Sequence, residues 1–267
     1  MGHSIRRWLI AASAAAAVGG LALSLGPAAG AATGSGSAPS AHSAAGASAA
    51  SPYVPPARNL YYGDRGPAVL SVQRRLNYLH YYAGPADGVY GANLEEAVWA
   101  FKEVQGLPMR GGNSVITKAF RSALVHPRAP YTRYPHGGGG RIEINQSLQV
   151  LVLYRHNVPN LIVHVSTGGR YYYCSNGGCG YAITPDGKYT ALSYLAGTIT
   201  VPLGFMENPV FFIGRAYAIH GGDPVPWYPA SHGCVRLFSD VVNWFHTRVH
   251  IGSTHILIYG QAPQYIY

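Results

Sequence analysis

The chain has 267 residues, 34 of them glycine and three of them cysteine, and a formal net charge of +9. That length allows one or two domains. The basic residues are scattered rather than run together, which argues against a nucleic-acid binder and favours an anionic polymer outside the cell as the match for the charge.

Residues 1–31 read as a secretory signal. Arg6 and Arg7 open it, an alanine-rich apolar run follows from 9 to 25, and small residues lead to Ala31. The run is short and alanine-rich for a membrane span. Cleavage is therefore expected, with no stable membrane insertion afterwards and an extracytoplasmic location. Residues 32–59 are dominated by Ala, Ser and Gly and end in a proline-rich stretch. Such a segment buries too little apolar surface to offset its ordering entropy and reads as a disordered tether.

A small helical unit is predicted over 60–125. Val69, Val72, Leu76 and Leu79 recur at helical spacing behind Gly66-Pro67. Asp87-Gly88 marks a turn. A second helix follows, with Asn93 and Glu96 spaced as a capping box, Leu94, Ala97, Phe101 and Val104 as its apolar stripe, and Gly106 at its end. A third helix is expected from 115 to 124. Residues 126–140 are punctuated by Pro and a Gly run and read as a linker.

From Arg141 the period changes from helical to alternating. Strands are predicted over 141–145, 148–154, 161–166, 216–220 and 254–259. One helix interrupts, with Ser239 as its cap, Asp240 in its first turn, and Val242, Phe245 and Val249 facing inward. The result is a mostly-β domain over 141–260.

Cys174 and Cys179 lie in a Gly/Asn/Ser loop and can close a small ring; export favours a disulfide there. That leaves Cys234 over, as a reactive thiol or an intermolecular partner. It follows Ser231-His232-Gly233, and His220 ends a predicted strand upstream. A cysteine nucleophile needs a base or a cation nearby, and His220 or His232 can be that partner. Gly233 lets backbone N–H groups approach an oxyanion. Arg236 adds charge that favours a thiolate or holds a carboxylate. His246 and His250 stand four apart, but Thr247 occupies the place where a zinc hydrolase of that pattern needs its glutamate. No metal and no cofactor are expected.

Two stretches resemble known families. The segments 60–73, Leu76-Asn77-Tyr78-Leu79, Asp87-Gly88-Val89-Tyr90-Gly91, Ala97-Val98-Trp99-Ala100-Phe101 and Gln105-Gly106-Leu107-Pro108 are similar to the three-helix peptidoglycan-binding domain. His220-Gly221 followed by Ser231-His232-Gly233-Cys234-Val235-Arg236-Leu237, with Val165-Ser166-Thr167-Gly168-Gly169 and Thr184-Pro185-Asp186-Gly187 upstream, resembles L,D-transpeptidases with the YkuD-type catalytic domain. The resemblance implies a multidomain fold, a small three-helix bundle followed by a β-sandwich-like catalytic domain. It implies Cys234 as nucleophile, His220 as base, and the Gly221 carbonyl as the group that orients the imidazole. Backbone N–H groups around His232, Gly233 and Cys234 would form the oxyanion hole. Ser231, Arg236 and Trp227 would meet substrate, with the 223–228 segment as a lid. The implied reaction takes a donor tetrapeptide stem of peptidoglycan to a cysteine thioester and passes it to an acceptor stem amine, giving a 3→3 cross-link. The alternatives are a carboxypeptidase-type cysteine hydrolase, with water as acceptor, and a non-catalytic wall-binding protein.

Overall fold

A computed structural model describes residues 53–109, 113–175 and 178–264. The expected signal, and the tether up to residue 52, lie outside them. Three helices come first: α1 (Pro67–Tyr78), α2 (Ala92–Gln105) and α3 (Lys118–Val125). The strands β1 (Gly140–Asn145), β2 (Val150–Arg155), β3 (Val158–His164), β4 (Tyr172–Ser175), β5 (Gly178–Tyr181), β6 (Gly187–Thr190), β7 (Ser193–Tyr194), β8 (Thr198–Val201), β9 (Gly204–Ile213), β10 (Tyr217–Gly221) and β11 (Val235–Leu237) follow. Helix α4 (Ser239–Phe245) and strand β12 (His255–Tyr259) complete the order. The chain is thus a small helical region followed by a mostly-β region.

Pro67 opens α1, where its missing N–H costs nothing. Gln73, buried on α1, clamps the Asp87-Gly88 turn: its amide nitrogen donates to Asp87 Oδ1 (2.9 Å) and its carbonyl accepts from Gly88 N (2.8 Å). Helix α2 ends at Gly106 in the left-handed conformation, as its sequence predicts. Its start differs from expectation. Gly91 is the N-cap and Asn93 lies inside the first turn, where its amide donates to Asp240 Oδ2 on α4 (2.7 Å). Asn93 therefore links two regions of the fold instead of capping a helix. Similarly Ser239 begins α4 rather than capping it, and its hydroxyl donates to Glu207 on β9 (2.5 Å). Thr117 does cap α3, accepting from Phe120 N (3.3 Å).

The strands form two main sheets. One runs β3-β2-β1-β12-β6, and the other β11-β10-β9-β7 with β8 paired to β9. Ile142, Ile144, Leu151 and Ile256 from the first meet Val210, Phe212, Ile219, Val235 and Leu237 from the second, with Val242 and Phe245 of α4. Strand β2 is buried along nearly its whole length. Its other face, Val150, Val152 and Tyr154, packs with Ile162 of β3 against Leu76, Phe101 and Phe120 of the helices. A strand covered on both faces reads as a continuous apolar run, and Val150-Leu151-Val152-Leu153 is that run.

The helical region is therefore a layer on the first sheet. Backbone bonds reinforce it: Ile162 N donates to His80 O (2.8 Å). The segment expected as a linker is pinned at two points in its first half. Arg128 N donates to Gln105 (2.8 Å), and Thr132 Oγ1 donates to Glu143 on β1 (2.7 Å). Because the two regions share this core, denaturant should unfold them in one transition, seen alike by Trp99 on α2 and Trp244 on α4. Ile162→Ala should destabilise that single transition by about 2–5 kcal/mol in urea titrations.

Candidate active site

The site grows from two short strands. β10 and β11 pair in parallel, with Ile219 opposite Val235 and His220 opposite Arg236. Successive side chains on a strand face opposite ways. Ile219, Val235 and Leu237 enter the core, so His220 and Arg236, and with them Ala218 and Cys234, stand on the other face. Burial alternates along 231–237 in step with that pleat: Ser231, Gly233, Val235 and Leu237 are buried, and His232, Cys234 and Arg236 are half-buried.

That face opens into a cavity of about 530 Å3 lined by His220, Ser231, His232, Gly233, Cys234 and Arg236. A volume of this size suits a ligand of several residues or rings. The β8–β9 hairpin lines it too, through Val201, Leu203 and Phe205, together with Tyr173, Arg215 and Tyr217. Of the segment 223–228 expected as a lid, Asp223 lines the cavity and Trp227 does not. That segment is held on the continuation of β3, with Tyr228 O accepting from Ser166 Oγ (2.8 Å).

His220 Nδ1 lies 2.6 Å from the Gly221 carbonyl. A carbonyl only accepts, so Nδ1 carries the proton and Nε2 keeps its lone pair. Burial holds the imidazole below its ordinary value of 6.5; the Gly221 carbonyl opposes that shift and Arg236 adds to it. Burial likewise pushes the Cys234 thiol above its ordinary 9.0, against a bond from the Ala218 backbone and the charge of Arg236. Its Sγ lies 3.9 Å from Ala216 O. Both shifts favour the neutral forms, with Arg236 acting against the shift at Cys234.

The cysteine turn is built by its own polar groups. Ser231 Oγ accepts from Gly233 N (3.0 Å) and donates to Cys234 O (2.5 Å). Its proton is committed to the turn, which removes Ser231 as a donor to substrate. It also removes Gly233 N–H from the expected oxyanion hole. Thr184 Oγ1, accepting from Gly168 N (2.9 Å), donates to Gly233 O (2.7 Å). Fixing that carbonyl turns the Cys234 N–H on the same trans peptide to the opposite side. Gln149 holds Thr167 through two bonds, from Thr167 N and to Thr167 Oγ1 (2.8 Å each). Neither Thr184 nor Gln149 is assigned a role by the sequence, because each acts on a partner far along the chain, Gly233 and Thr167. The His232 ring sits against Tyr173 (4.5 Å between centroids) and Tyr171 (5.6 Å), and burial lowers its pKa.

Cys174 and Cys179 form a disulfide across the β4–β5 hairpin, directly opposite each other in register, and Cys234 is free. His246 stacks on Tyr194 (4.4 Å), and α4 ends before His250, so the two histidines do not share a helical face.

Residues 139–258 match the family described as the L,D-transpeptidase catalytic domain, and residues 65–111 match a peptidoglycan binding domain. The crystal structure of the L,D-transpeptidase from Xylanimonas cellulosilytica DSM 15894 is 34% identical, covers 77% of this chain and 100% of its own, and superposes with a TM-score of 0.70. The L,D-transpeptidase from Stackebrandtia nassauensis is 16% identical over 77% of this chain and 97% of its own, with a TM-score of 0.45. No curated protein matches the chain.

Gly233 has φ +148, and a Cβ there would meet the Tyr217 ring at 2.7 Å and Ile183 O at 2.8 Å. Gly233→Ala should therefore cost about 1–3 kcal/mol of stability in urea titrations. It should also slow alkylation of Cys234 by iodoacetamide, whereas Ser175→Ala on the outer hairpin should change neither.

Proposed function

Because the chain belongs to the L,D-transpeptidase family, we propose that it forms 3→3 cross-links in peptidoglycan through a thioester on Cys234. Peptidoglycan is the partner that both matched families point to, and the cell wall is its location. No helix among the described residues is long and apolar enough to cross a membrane. The proposed organisation is a signal over 1–31, a tether over 32–59, the peptidoglycan-binding domain over 60–125, a linker over 126–140 and the catalytic domain over 141–260.

The observation that carries this reading is the His220 tautomer. With Nδ1 committed to Gly221 O, Nε2 is an unprotonated base on the same sheet face as Cys234. In the first half-reaction Nε2 takes the thiol proton as sulfur attacks the carbonyl of the third, L-centred residue of a tetrapeptide stem. The Cys234 N–H, left over after Ser231 takes Gly233 N–H, donates to the oxyanion. The C–N bond then breaks, the imidazolium gives its proton to the departing D-alanine amine, and a thioester remains. In the second half Nε2 takes a proton from the acceptor amine as it attacks, and thiol is regenerated. Arg236, half-buried in the cavity wall, supplies positive charge for the donor stem's carboxylate. With water as acceptor the same residues would act as a carboxypeptidase.

Incubation with a carbapenem should add one acyl group to the native protein and none to Cys234→Ala, read by intact mass. With tetrapeptide and an acceptor stem, the native protein should yield a cross-linked dimer; tripeptide alone would make it a hydrolase. An unmodified, folded native protein would leave only the wall-binding reading.

Catalysis needs His220 neutral, and its pKa is depressed below 6.5. The carbapenem acylation rate, followed between about pH 5 and pH 9, should therefore hold level as pH falls through 6.5 and decline only below it. His220→Asn should lower the level portion by roughly 10²–10⁴-fold.

A further inference from the structure

Nothing in that chemistry uses Glu103 or His164, yet both are buried, and burying an ion pair is costly unless its geometry holds something in place. Glu103 belongs to α2 and His164 ends β3. His164 Nδ1 lies 3.1 Å from both carboxylate oxygens of Glu103. Its Nε2 lies 3.0 Å from the carbonyl of Pro226. That carbonyl can only accept, so Nε2 carries a proton, and a second proton is shared between Nδ1 and the carboxylate. The Trp99 ring closes over the imidazole edge-on at 5.4 Å. Burial raises Glu103, while Glu103 and the adjacent Glu96 outweigh burial at His164 and raise it too, so the pair keeps its shared proton around neutrality.

Pro226 sits in the segment 222–230 that joins His220 to the cysteine turn. The strand continuation 164–168 holds that segment along its length. Ser166 Oγ donates to Tyr228 O (2.8 Å) and accepts from Ala230 N (3.0 Å), and Ser231 N donates to Thr167 O (3.0 Å). His164 is the member of this row that is tied to the helical region.

We propose that Glu103 and His164 are positioning residues: through them the peptidoglycan-binding region holds segment 222–230, and so sets the placement of Cys234 relative to His220. The inference rests on the reading of Cys234 and His220 as the reacting pair. It makes the helical region part of the catalytic apparatus as well as a wall anchor.

Side-chain length separates the two bonds of His164. In His164→Gln the amide nitrogen reaches the place of Nε2, keeping the bond to Pro226 and losing Glu103. In His164→Asn it reaches the place of Nδ1, keeping Glu103 and losing Pro226. Glu103→Gln can donate to Nδ1 and leave Nε2–H on Pro226, whereas Glu103→Ala cannot. The full-length variants are compared by the rate of carbapenem acylation, by iodoacetamide alkylation, and by amide hydrogen exchange across 222–230. His164→Asn, His164→Gln and Glu103→Ala each cut one link between α2 and the segment, and should speed exchange there and slow acylation by ~10- to 100-fold, with alkylation by the small reagent little changed. Glu103→Gln, which keeps both links, should stay within about threefold of the native rate, with native exchange. Unchanged exchange in the first three variants overturns the proposal, as does an equal fall in Glu103→Gln. Should the native protein take up no carbapenem while exchange still follows this order, the active-site reading fails and the holding of the segment stands.

Discussion

The site depends on one constraint, the parallel pairing of β10 with β11. Antiparallel neighbours can be joined by a tight turn, but parallel ones need a connection that leaves one strand end and travels back to the start of the next. Here that connection is 222–234, and it contains no regular element. It carries Asp223 at the cavity, the docked Pro226–Tyr228 stretch, and the Ser231–Cys234 turn. Irregular backbone of this length leaves its N–H and C=O groups to be satisfied individually. Ser166, Thr184 and Ser231 do so by fixing carbonyls or amides between Tyr228 and Cys234, and His164 does so at Pro226. The pairing that puts His220, Cys234 and Arg236 on one face thus also creates the need for the supports around them.

The electrostatics follow from the same enclosure. Burial moves Cys234 and His220 in opposite directions on the pH scale, and both moves favour the neutral forms. A neutral thiol is one that small oxidants and alkylating agents attack slowly, since the thiolate is the reactive form. Cys234 is the free cysteine, while Cys174 and Cys179 satisfy each other in the hairpin.

Much of this was legible in the sequence. The odd cysteine, the glycine before it, the upstream histidine and the alternation of Val235 and Leu237 with Cys234 and Arg236 point to residues that the structure gathers around one cavity. The helical apolar stripes and the change of period at Arg141 identify the two regions. What was not legible was contact at a distance. Asn93 and Ser239 look like caps because their local spacing suits a cap, but tertiary partners, Asp240 and Glu207, took their side chains. The lid was assigned to 223–228 by its place between the two catalytic elements. Only three dimensions show the row of hydrogen bonds from 164–168 that holds that segment, or that residues of the β8–β9 hairpin line the cavity. Glu103 and His164 lie 61 positions apart, beyond any local pattern.

The junction between the regions changes what a wall anchor can do. A module on a flexible linker raises the local concentration of substrate around the enzyme but leaves its orientation free. Here the helices form a layer over β2 and β3, the intervening segment is pinned through Arg128 and Thr132, and a buried pair crosses the boundary. A ligand gripped by the helical region would then stand at a fixed distance and angle from the cavity. The proposed transfer to a neighbouring stem, unlike hydrolysis, would need a second peptide held in a particular direction, and orientation is where effective molarity comes from. A packed junction would serve that requirement where a flexible one would not.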